Sequence, residues 1–223
     1  MKTKSKLIIL IVVLSVCIVA TVTGVTVAYW VGAEGTNQIA PQTDTTDWNY
    51  WTKYFIYEAV ENEGTVIGYR VVDFQGAVLE NVIIPRYATG GWLRENKDDT
   101  SLEKITTPNA PVLYVGNSLF ADTTDKAIPV TLTLPTTVEV EPGAFQGLVN
   151  LTTIKIKTVK NFVGNTNDDG IVIGNMAFFG CNNVEKFIVD DSATLTVPGT
   201  TATSFADFLT ATGLPAGLTR TEE

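Results

Sequence analysis

The residues whose types and spacing could do chemistry are few. Asp98/Asp99 and Asp190/Asp191 are paired carboxylates, the raw material of general acid–base work. Each pair is adjacent in sequence and lies in a turn-forming run, whereas a glycosidase needs two carboxylates facing each other across a cleft. Asn165-Thr166-Asn167-Asp168-Asp169-Gly170 has the Asx spacing and the glycine of a calcium loop. Counted from Asn165, however, the twelfth position is Met176, where such a loop needs a bidentate glutamate. The run therefore reads as a polar turn. The 223 residues contain no histidine, which removes the commonest general base and the commonest neutral metal ligand. No Gly-rich phosphate loop, cysteine cluster or nucleophile elbow is written in the chain. The expectation is a protein that is not an enzyme and holds no metal or cofactor.

What remains is the chemistry of contact, and repeated short strands must position it. Residues 138–147, Val-Glu-Val-Glu-Pro-Gly-Ala-Phe-Gln-Gly, are rewritten at 171–180 as Ile-Val-Ile-Gly-Asn-Met-Ala-Phe-Phe-Gly. An echo lies at 113–120, so that Phe120, Phe145 and Phe178 share one place in the unit. Each copy leads into a near-alternating run, Leu151/Ile154/Ile156 and Val184/Phe187/Val189, which suits a short strand with one buried face. A self-similar unit of this size predicts a mostly β repeat solenoid, each unit burying its apolar edge against its neighbours. On the exposed face of the stacked strands the pattern puts Thr131, Thr133, Thr152, Thr153, Lys155, Glu185, Lys186 and Ile188. Thr133, Lys155, Glu185, Lys186 and Ile188 are the candidate ligand-binding residues there, and Trp92, beside Gly90 and Gly91, is the candidate in an inserted loop.

The wording of residues 173–184, Ile-Gly-Asn-Met-Ala-Phe-Phe-Gly-Cys-Asn-Asn-Val, resembles the BspA-like leucine-rich repeats of bacterial surface proteins. The resemblance covers roughly residues 54 to 198. Departures include Glu141-Pro142 in place of Ile-Gly and Leu148 in place of the cysteine. The resemblance implies leucine-rich repeats with short helical or 3-10 turns. It also implies a binding role, adhesion to host or neighbouring-cell proteins or to other extracellular ligands.

The flanks read as a delivery system. Lys2, Lys4 and Lys6 precede residues 7–30, which carry no charge and are long enough to span a bilayer. Residues 1–33 are thus a signal peptide, with cleavage candidates after Ala28 and Ala33, or a retained anchor helix. Residues 24–30 also resemble the export signals of the TasA/camelysin group. Either way the mature part is expected at the cell surface or outside a bacterial cell. Residues 34–47 form a polar linker and residues 48–80 an aromatic-rich capping hairpin, followed by repeats over 81–198. Residues 199–223 close the stack with a short helix that Ser204 caps. A net charge of −9 argues against nucleic acid as a partner. The expected partner is an extracellular protein or glycan, and any membrane contact would run through residues 7–30. The alternative is a matrix or surface-layer component that assembles with itself through its ends.

Overall fold

The computed structural model describes residues 48–75, 80–95, 101–120, 129–159, 170–190, 193–201 and 204–222, all within the unit Thr43–Glu223. The expected signal or anchor, the polar linker, Asp98/Asp99, Asp191 and residues 165–169 of the calcium-like run lie outside them. Among the described residues no helix is long and apolar enough to cross a membrane.

The chain enters through a one-turn helix α1 (Trp48–Trp51) and a 3-10 turn (Thr52–Tyr54). Strands β1 (Phe55–Asn62) and β2 (Thr65–Phe74) then pair as a hairpin. Its two-residue corner, Glu63 and Gly64, has φ of 51° and 76°. Positive φ at both positions gives the turn a twist that matches the flanking strands. Short strands follow: β3 (Asn81–Ile83), β4 (Trp92–Leu93), β5 (Glu103–Lys104), β6 (Val112–Val115) and β7 (Thr131–Pro135). The remainder are β8 (Glu139–Val140), β9 (Thr153–Lys157), β10 (Gly170–Ile173), β11 (Lys186–Val189), β12 (Thr194–Thr196), helix α2 (Phe205–Thr212) and β13 (Arg220–Glu222).

These strands sort into two sheets. One is mixed, in the order β12-β10-β8-β6-β2-β1-β4-β5, and the other parallel, in the order β13-β11-β9-β7-β3. The chain alternates between them, and the residues that face inward are the apolar ones of the near-alternating runs. Leu132 and Leu134, Ile154 and Ile156, and Phe187 and Val189 are all fully buried. On the mixed sheet Val115, Val140, Ile171 and Ile173 meet them from the other side. Between the layers runs a file of rings. Phe74 and Phe120 lie 5.3 Å apart, Phe120 and Phe145 6.2 Å, and Phe145 and Phe178 5.2 Å. The corners that carry the rings are also tied together. The amides of Leu119, Phe145 and Phe178 donate to the carbonyls of Ala144, Ala177 and Thr212, at 3.0, 2.8 and 2.9 Å.

The expected repeat solenoid needs correcting. The strands form one mixed and one parallel sheet that do not close into a solenoid. The segments carrying Phe145 and Phe178, residues 142–147 and 175–180, are hydrogen-bonded turns, not helical or 3-10 pieces. The N-terminal hairpin is not a cap. It lies inside the mixed sheet, where β2 takes β6 as a parallel neighbour and β1 takes β4. The physical reason is edge satisfaction at the base of the hairpin, where residues 56–57 pair with β4 and residues 69–71 with β6, so that the backbone donors and acceptors there are not left open. The covering role falls instead to the aromatic entry segment. Trp51 is fully buried and Tyr50 and Tyr54 pack on the core. Their hydroxyls lie 3.1 Å apart, and burial, helped by that contact, pushes the Tyr54 phenol up to about 12. The expected anchor helix lies outside the described residues.

Candidate binding face

Parallel register on the five-stranded sheet decides which side chains stand together. Thr131 of β7 is opposite Thr153 of β9, which is opposite Lys186 of β11. Two residues on, Thr133, Lys155 and Ile188 make the next row, extended by Ile83 on one side and Thr221 on the other. These are the residues between the buried positions of each strand, so the period of two that buries Ile154 and Ile156 turns Thr153, Lys155 and Lys157 outward. Neighbouring strands are about 4.8 Å apart, which brings side chains of a row within reach of one extended ligand.

Four of the five candidates on this sheet therefore fall in two adjacent rows. Lys155 and Ile188 are half-buried and Lys186 is exposed. Thr133 shares the row but is only 9% exposed, so it shapes the face and offers little to a ligand. Glu185 is exposed just before β11, and its amide and that of Lys186 both donate to the Thr152 carbonyl, at 2.9 and 3.0 Å. That shared acceptor pins the start of β11. At the far end Lys157 Nζ meets Asp190 Oδ1 at 3.2 Å, and the Thr158 amide donates to Asp190 Oδ2 at 2.7 Å.

Trp92 stands apart from this group. It opens β4 in the mixed sheet, half-buried, opposite Ile56 on one side and Lys104 on the other. The segment is a paired ribbon, held by Gly90 donating to Ile105 at 2.8 Å and Ile105 to Gly91 at 3.0 Å. Gly91 is required there, since a Cβ would strike the Tyr57 ring and come within 2.8 Å of the Thr52 carbonyl oxygen. Trp92 is thus a strand residue with a fixed backbone, not an anchor in an inserted loop.

Sequence reasoning missed the charged row on the outer face of the mixed sheet. Glu58, Arg70, Tyr114 and Glu139 are neighbours in register across β1, β2, β6 and β8. Arg70 Nε lies 2.7 Å from Glu141 Oε1 and its guanidinium 5.5 Å from the Tyr114 ring, while Arg94 reaches Glu58 at 3.2 Å. The alternation of apolar and polar residues in each strand was the available signal. What it could not give was which strands are neighbours. Among the described residues no group of three or more Cys, Asp or Glu could hold a metal ion.

Comparison with protein-family models, with curated proteins and with solved structures returns no match.

Proposed function

We propose that this chain is an exported surface protein that binds an extracellular protein or glycan through the outer face of its five-stranded parallel sheet. The observation that carries the reading is the alignment of Thr153 and Lys186 in one row and Lys155 and Ile188 in the next, on strands paired on both edges. Such a face is rigid, so a ligand pays little to order it, and it mixes hydroxyl, ammonium and aliphatic contacts as interfaces do. Export rests on the basic start and uncharged residues 7–30, and the adhesive role is supported by the resemblance of residues 173–184 to BspA-like surface proteins.

The test is retention of immobilised extracellular matrix proteins and cell-wall glycans, for the wild type against K186E and I188D. Both substituted side chains point away from the core, so folding is preserved and retention drops about tenfold or more, as for a charge introduced against a matched surface. Equal retention by all three proteins would place binding elsewhere.

A further inference from the structure

We propose that the β1–β2 hairpin arm of one molecule docks on the lysine-bearing face of the parallel sheet of a second copy, so that copies associate head to tail. The two surfaces are of opposite kind, and each is left unsatisfied in its own molecule. The hairpin strands are 8 and 10 residues long, but β4 pairs only with residues 56–57 and β6 only with residues 69–71. The arm therefore runs past the sheet, and residues 61–67 are all exposed. Val66 and Ile67 are 46% and 48% exposed there, beside Glu61 and Glu63. A two-stranded ribbon with open edges and apolar side chains is marginal alone in water and is a template for pairing with another chain.

Charge selects the occupant. Among the described residues none of Glu61, Glu63, Lys155 and Lys186 forms an ion pair. On a chain of net charge −9, copies repel on average, so a productive encounter must use the local patch of opposite sign. The lysine face supplies it through Lys155 and Lys186, with exposed Glu185 beside Lys186 offsetting part of that charge and Ile188 as the apolar match for Val66 and Ile67. Because arm and face are different surfaces, the contact is heterologous and leaves a free arm at one end and a free face at the other. It uses the same face as the proposed ligand but does not depend on that reading: wild-type protein that associates yet retains no extracellular ligand would overturn only the first.

Sedimentation of the full-length chain in mild detergent, at about 20 mM and about 500 mM salt, tests it, since screening shortens the reach of surface charge from roughly 20 Å to roughly 4 Å. Wild-type protein is expected to associate at low salt and to dissociate at high salt. E61K/E63K and K155E/K186E, each checked for native circular dichroism, are expected to associate at least tenfold more weakly alone. An equimolar mixture of the two associates again, because the reversed arm meets the reversed face. A wild-type monomer at both salts overturns the proposal, and so does a mixture of folded variants that stays monomeric. A monomer that instead retains polyglutamate or an anionic polysaccharide would give the lysine face to a foreign acidic partner and likewise overturn it.

Discussion

The rings of Phe145 and Phe178 stack with centroids 5.2 Å apart and planes 20° from parallel. Both are buried, at 1% and 0% exposure, and they come from the two closest copies of the sequence unit. The backbone repeats the contact, since the Phe145 amide donates to Ala177 at 2.8 Å. One aromatic file thus sets the spacing of successive corners, and the strands on both sheets inherit it.

Phe145→Ala should consequently cost about 3–5 kcal/mol, the range for truncating a buried aromatic where the surroundings relax only in part. The cost is large because Phe145 has a ring neighbour on each side, Phe120 and Phe178. Urea unfolding followed by tryptophan fluorescence measures it. A loss below about 1 kcal/mol would mean that the file merely fills space.

Two glycines at comparable corners should behave differently. A Cβ on Gly174 would strike the Pro142 nitrogen and come within 2.7 Å of the Glu141 carbonyl carbon, both backbone atoms of the preceding unit. Gly147 has φ of 79° but nothing within 4 Å of the added atom. Gly174→Ala is therefore predicted to cost about 3 kcal/mol, an overpacking penalty, and Gly147→Ala only about 1 kcal/mol, for the left-handed backbone. Equal midpoints in denaturant would remove the distinction.

The sequence made the period-two burial of Ile154/Ile156 and Phe187/Val189 and the lining-up of Phe120, Phe145 and Phe178 readable, because both follow from one chain's spacing. It misplaced the hairpin. The alternation in residues 55–74 predicts two strands, but whether their outer edges stay open is a property of β4 and β6, far away in the chain. Trp92 was misread for a related reason: Gly90-Gly91 looks like a flexible loop until the Tyr57 ring is known to lie against Gly91. Thr133 has the same polar identity as Thr153, yet it is nearly covered, and no local pattern separates the two.

Cys181 offers a pH test. Its thiol is fully buried and donates to the Phe145 carbonyl at 3.1 Å, and burial pushes its pKa from 9.0 up to about 11, the amides of Leu148 and Gly147 opposing in part. The unfolded chain thus releases this proton at lower pH than the folded one. Between about pH 9 and 11 the unfolded state binds fewer protons, so stability falls as pH rises through that window and is unaffected below it. Tyr54 and Tyr57 are shifted the same way, so the difference between wild type and C181A isolates the thiol. Unfolding curves that stay parallel from pH 8 to 11 would contradict the burial argument, as would fast labelling of the native thiol at pH 8.

Helix α2 is held by a reciprocal cap whose loss should be felt one unit away. Ser204 Oγ accepts from the Asp207 amide at 3.2 Å, and Asp207 Oδ2 accepts from the Ser204 amide at 3.1 Å. The helix lays Phe205 and Phe208 against Phe187, at 5.5 and 5.6 Å, and its last turn offers Ala211 and Thr212 carbonyls to the Met176 and Phe178 amides. Ser204→Ala removes one half of the cap and is predicted to cost about 1 kcal/mol, near 2–4 °C in the thermal midpoint for a chain of this size. Fraying of α2 withdraws the acceptors of Met176 and Phe178, so those two amides should exchange with solvent about fivefold faster, while Phe145, bonded to Ala177, keeps its protection. Uniform acceleration at all three sites would mean that the cap stabilises all three turns together, and that the helix does not open as a separate flap over residues 175–180.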